Sequence, residues 1–144
     1  MAGSKTNTFE NAALLNVFNN EAIANIGDAA GLQPSAAAGS LFVALFTVAP
    51  GEAGGGTEAV YTGYARVAVA RSSAGWTITD NVAANTAEIT FGECTDGSET
   101  IIGAAIMTAL TGGDMLYWND DPNLAVSVGV IPSFAIGSLT ITDG

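Results

Sequence analysis

From Tyr61 to the carboxyl terminus the chain is written in short β-branched or aromatic runs: "YTGYARVAVAR", "GWTITD", "NTAEITF", "ETIIGAAIMTAL", "GDMLYWND" and "NLAVSVGV". Gly, Asp or Asn separates them, and the closing "GSLTITDG" adds one more. Such runs read as strands, and turn signals spaced ~8–12 residues apart leave no room for the crossover helices of parallel βαβ units. The pattern predicts a mainly β, antiparallel fold: a sandwich or a small, jelly-roll-like barrel. Within "NLAVSVGV" alternation puts Leu124, Val126, Val128 and Val130 on one face and Ala125, Ser127 and Gly129 on the other.

Ahead of these runs, "LFVALFT" from Leu41 to Thr47 is apolar on both faces and is bounded by Pro50-Gly51, as expected of a central strand covered on both sides. The loop after it carries three consecutive glycines, Gly54 to Gly56, and is expected to be exposed. At the amino terminus, Asn7 followed by Glu10 is a capping pattern, and Phe9, Ala13, Leu14, Val17 and Phe18 share one helical face. That face, with Phe9, Leu14 and Phe18 as its candidate contact residues, either covers the domain's own sheet or docks on a neighbouring subunit. The segment from Glu21 to Ser40, broken by Pro34, reads as a connecting loop. With 144 residues the expectation is one domain: a helix and loop region over 1–40 and a β core over 41–144.

Charge excludes several functions. Three cations, Lys5, Arg66 and Arg71, oppose fourteen carboxylates, whereas nucleic-acid binders need clustered Lys and Arg, so no nucleic-acid partner is expected. No run approaches the ~18 apolar residues of a membrane span, so no membrane partner is expected either. Histidine is absent and Cys94 is alone, which removes Ser-His-Asp and Cys-His catalysis, an intrachain disulfide, and any metal site built on His or paired Cys. The fourteen acids give no reason to select a catalytic pair, so the chain reads as a non-enzyme without cofactor. In "WNDDPN" the oxygens of Asn119, Asp120, Asp121 and Asn123 would suit calcium, but these are also ordinary turn residues and no metal ligand is assigned. Tyr61, Tyr64, Trp76, Tyr117 and Trp118 would form a sugar-stacking platform only if exposed together; aromatics in strands mostly fill cores and subunit contacts.

The scarce cations are the more informative feature. If "YTGYARVAVAR" is one strand, alternation points Arg66 and Arg71 to opposite faces, with Arg71 at its end within reach of water. Mid-strand, Arg66 needs a carboxylate if it is covered, and Glu52 or Glu58 of the preceding loop are the candidates, within the subunit or across an interface. The alternative is a solvated edge-strand charge that discourages aberrant pairing.

The stretch Leu41–Ala70 resembles a family of small tailed-bacteriophage virion proteins. The resemblance is carried by Leu41, Val43, Ala44, Leu45, Phe46 and Thr47, then by Pro50 to Ala53 with Gly54, Gly56, Thr57 and Glu58, and then by Tyr64 to Val67. "TFENAALLNVF" and "FAIGSLTIT" are similar to it as well. Members are described as head decoration (cement) proteins or as tail-fibre proteins, and no catalytic residue or cofactor is implied. Small size, the lack of a fibrous repeat and an acidity unhelpful towards packaged DNA favour a cement protein on the outer capsid surface. It would be made in the host cytoplasm, bind the major capsid protein and self-associate, as a trimer by analogy with other decoration proteins. The rival expectation is a tail-associated module that recognises a host surface ligand.

Overall fold

The computed structural model describes residues 1–144. One helix, α1 (Asn7–Asn19), is followed by the strands β1 (Ser40–Val48), β2 (Thr57–Glu58), β3 (Val67–Ala70), β4 (Trp76–Thr79), β5 (Val82–Asn85) and β6 (Ile89–Thr90). The second half adds β7 (Glu99–Ile101), β8 (Gly103–Met107), β9 (Met115–Asn119), β10 (Leu124–Val126), β11 (Ser133–Phe134) and β12 (Thr140–Thr142). The chain is mainly β, and its antiparallel sheets stay open, as in a sandwich, instead of closing into the small barrel that the sequence also allowed. It is organised as two compact units.

The first unit joins residues 1–40, 70–87 and 136–144. Its sheet runs β12-β5-β4, with Trp76 opposite Asn85 and Ile141 opposite Ala83. The helix begins one residue earlier than the Asn7 capping pattern implied. Thr6 is the N-cap, its hydroxyl accepting from the Phe9 amide at 3.3 Å, because its extended backbone (φ −88°, ψ 155°) turns the hydroxyl towards the free amides of the first turn. At the other end Asn20 takes the left-handed conformation (φ 57°) and its amide closes on the Leu15 carbonyl, stopping the helix. The buried stripe is Glu10, Leu14 and Phe18, with Ala13 and Val17 half-buried and Phe9 exposed. Phe18 meets Trp76 edge-on at a ring separation of 4.8 Å, and the helix lies on β4 and β5. Leu14, Phe18, Trp76, Ala83, Leu139 and Ile141 are the buried hydrophobic centre of this unit.

The second unit joins residues 41–69 and 88–135. Its main sheet runs β2-β1-β8-β9, with β3 also on β1, so β1 is flanked on both sides and Val43, Ala44, Leu45 and Phe46 are buried. Burial of Val43 to Phe46 covers both faces of the strand over these four residues, which is the physical reason for its double-sided apolarity. Two small antiparallel pairs, β10-β7 and β11-β6, complete the unit.

Two expected strands are shorter than their apolar runs. In "YTGYARVAVAR" only Val67–Ala70 is strand. The chain turns at Gly63 (φ +104°), whose added Cβ would lie 2.1 Å from the Glu93 carbonyl oxygen, and the Thr62 and Thr95 segments exchange backbone hydrogen bonds there. Arg66 is therefore not mid-strand but just ahead of β3. In "NLAVSVGV" the strand stops at Val126, because Ser127 accepts from the Val130 amide in a turn around Gly129 (φ +93°), leaving Val128 exposed and only Val126 buried. Period-two alternation holds only while the backbone stays extended.

The glycine loop is held by geometry as well as by flexibility. Gly56 has φ +77°, and an added Cβ would lie 2.6 Å from the Val48 carbonyl oxygen and 2.9 Å from the Pro50 nitrogen, both backbone atoms. Gly56→Ala is expected to cost about 1–3 kcal/mol. Gly55→Ala, at a similar φ but in open space, is expected to cost less. Denaturant midpoints of the two variants check the difference.

Candidate functional site

Each of the three cations is engaged inside the chain. Arg66 lies at the centre of the densest polar network in the second unit. Its Nε donates to Oε1 of Glu58 at 2.8 Å and its Nη2 to Oε2 at 2.9 Å, a two-point fork. Its Nη1 donates to the carbonyls of Ala109 and Gly112, each at 2.7 Å. Glu58 stands on β2 opposite Phe46, so the guanidinium ties that strand to the turn following β8. Tyr64 completes the network: its hydroxyl donates to Glu58 Oε1 at 2.7 Å and accepts from the Leu45 amide of β1 at 3.0 Å. The Arg66 side chain is 8% exposed and that of Glu58 29%. Of the two candidate acids, Glu58 makes the pair, while Glu52 lies exposed in the Gly51–Gly54 turn.

The fork sets the titration of its members. Hydrogen bonding from Arg66 holds the Glu58 carboxyl below its ordinary value of 4.5, against the opposing effect of partial burial and with help from Tyr64. Burial, reinforced by the bond to Glu58, pushes the Tyr64 phenol well above its ordinary range. A carboxyl whose native pKa is depressed stabilises the fold fully above its unfolded pKa, and that contribution disappears as pH falls through the native value. Stability is thus expected to drop as pH falls below 4.5, and Glu58→Gln should flatten that part of the profile; unfolding free energy followed from about pH 7 to about pH 3 tests it.

Arg71 belongs to the first unit and acts as a helix-end ligand. Its Nε donates to the Val17 carbonyl at 2.6 Å and its Nη2 to the Asn16 carbonyl at 2.8 Å, while Nη1 reaches Ser35 Oγ and the Ala38 carbonyl, both at 3.1 Å. The last carbonyls of a helix lack intrahelical donors and carry partial negative charge, so a guanidinium satisfies both needs. The expected water-facing Arg71 is instead half-buried among carbonyls. Lys5 pairs with Asp143 in the same unit.

The helix residues divide in the same way. Leu14 and Phe18 are spent on the first unit's own sheet, and only Phe9 remains exposed. Tyr61 and Trp76 are buried, with the Tyr61 hydroxyl donating to the Gly92 carbonyl at 2.9 Å. The Asn119 side chain accepts from the Asp121 amide at 2.7 Å, which is turn chemistry. No three acidic or cysteine side chains gather closely enough to hold a metal ion. The Cys94 thiol is buried, its single proton facing the neighbouring carbonyls of Asp96 and Gly97.

A feature that sequence reasoning assigned to core or contact packing in general terms lies at the β9 edge of the second unit. Register places Phe42, Met107 and Met115 in one row across β1, β8 and β9, and Ala44, Ala105 and Trp118 in the next row of the same face. Ala44, Phe46, Ala105 and Met107 are buried as a small cluster, with Phe42 and Met115 partly buried against it. Trp118 is 37% exposed and Leu116, in the irregular step of β9, 43%. The signal in the sequence was the uncharged "MLYW" between Asp114 and Asp120.

A family model described as "Podophage GP4 fiber I protein gp80" matches residues 4–142. No curated protein matches the chain.

Proposed function

We propose that this chain, which belongs to the podophage GP4 fiber I protein family and is a phage virion structural protein, serves as a structural subunit of the phage's tail-associated fibre apparatus. The observation that carries the reading is the family match over residues 4–142, nearly the whole chain, to a protein described as a fibre component. The protein acts by contact, without catalysis or cofactor, and its partners are other virion proteins or further copies of itself. The position of the charges supports this: with Arg66 and Arg71 occupied internally and the exposed Lys5 paired with Asp143, carboxylates and neutral or apolar groups dominate what the surface offers a partner.

The two surface features that would favour the other expectations are differently used. Of the two expectations for the helix face, cover for the domain's own sheet or docking on a neighbouring subunit, the first holds for Leu14 and Phe18, which pack within the first unit and so are not free to cover a capsid. Tyr61 and Trp76, two of the aromatics that would have formed a glycan platform only if exposed together, are core residues. The test is immunogold labelling of intact virions with antibody to this chain. Gold at the tail is the expected result, and gold spread over the head would replace the fibre reading with the capsid decoration reading.

A further inference from the structure

We infer that the β9 edge of the second unit is the docking site for a segment of another virion protein that carries an apolar centre and basic flanks. The apolar side is the part-exposed end of the sheet face described above: Phe42, Met115 and Trp118, with Leu116 beside them. The chain's strand order ends at β9, so this chain adds no strand beyond it. Side chains of this kind left facing water favour association because burial releases about 25 cal/mol per Å² of apolar area.

Charge selects the occupant. Asp114 stands at one end of β9 and Asp120 and Asp121 at the other, all three exposed. The unit's nine carboxylates face one cation, Arg66, and that guanidinium is buried and already bonded to Glu58 and the carbonyls of Ala109 and Gly112. A second copy docked edge to edge through β9 would set the Asp114 end of one chain against the Asp120 and Asp121 end of the other, adding repulsion between groups that no local cation offsets. The register irregularity between Met107 and Ile106 further breaks the regular edge on which an identical strand would pair. A partner with Lys or Arg on either side of an apolar run meets both the Trp118 and Met115 side chains and the acids flanking them.

This inference rests on virion membership, not on placement at the tail. Its test is a photo-crosslinker: p-benzoylphenylalanine is put at position 116, phage are assembled with that chain, virions are irradiated and the joined peptides are sequenced. The expected product is a peptide of a different virion protein with Lys or Arg on both sides of an apolar run. A cross-link to a second copy of this chain, to a segment lacking basic residues, or to nothing overturns the proposal. The source of the peptide, head or tail protein, separately tests the fibre reading, so the two can fail independently. A second measurement is the occupancy of virions by the Asp114→Asn, Asp120→Asn, Asp121→Asn variant. Loss of three flanking charges should lower occupancy about tenfold at physiological salt with the unfolding midpoint of the isolated chain unchanged, and unaltered occupancy overturns the proposal.

Discussion

Arg66→Ala is expected to destabilise the second unit by about 3 kcal/mol, the loss typical of removing one partner from a covered ion pair. The guanidinium supplies four short hydrogen bonds, two to Glu58 and one each to the Ala109 and Gly112 carbonyls. Deleting it leaves a carboxylate only 29% exposed without its counterion and two carbonyls that must find water. Most of the cost lies in those orphaned groups. The double variant Arg66→Met, Glu58→Gln should therefore lose less than the single alanine, because it removes the isolated charge and keeps much of the packing. Denaturant unfolding of the wild type, the single and the double variants measures both quantities. If the single variant unfolds at the wild-type midpoint, the network contributes nothing to stability and its role in holding β2 and the turn after β8 is refuted.

Trp76→Ala should have the largest effect in the first unit, about 3–5 kcal/mol, because truncating a buried aromatic removes both its transfer free energy and the contacts around the space it leaves. Trp76 is fully buried against Phe18, which is itself fully buried on the helix. The cavity would open where α1 meets β4, so helix content should fall together with stability. Trp76→Phe distinguishes packing from hydrogen bonding. The indole Nε1 is buried without a hydrogen-bond partner, so exchanging it for a phenyl ring forfeits volume but no hydrogen bond and should cost much less than alanine. Circular dichroism at 222 nm through a denaturant titration reads both effects; equal losses for alanine and phenylalanine would place the cost elsewhere than in the ring's bulk.

The two arginines show how far a linear reading reaches. The sequence expectation set Arg66 mid-strand, needing Glu52 or Glu58 if covered, with a solvated edge-strand charge as the alternative; the structure puts it just ahead of β3 and pairs it with Glu58. Whether that partner was Glu52 or Glu58 depended on how the glycine loop folds back. The bridge between Gly51 and Gly54 leaves Glu52 at the outer turn, whereas Glu58 is drawn onto β1 opposite Phe46. Tyr64 was missed because nothing in a sequence reveals that a phenol will sit between a carboxylate and a strand amide. Arg71 was assigned to water because its actual ligands are backbone carbonyls of a helix end more than fifty residues away, and carbonyls leave no mark in the sequence.

What the sequence determined by itself was local and periodic: the mainly β class, a short amino-terminal helix, the central position of β1, and likeness to phage virion proteins. These follow from side-chain alternation, turn residues and a long motif, all carried by neighbours in the chain. Tertiary structure decided where runs stop being strands, which acid meets Arg66, that Arg71 closes a helix, and that Trp118 lies part-exposed beside acids at a sheet edge. The stop at Gly63, the choice of Glu58 and the seat of Arg71 depend on backbone from distant segments arriving at one place, as Glu93 does at Gly63 or Ala109 at Arg66, and no local pattern encodes such an arrival; the exposure of Trp118 depends on β9 being the last strand of its sheet.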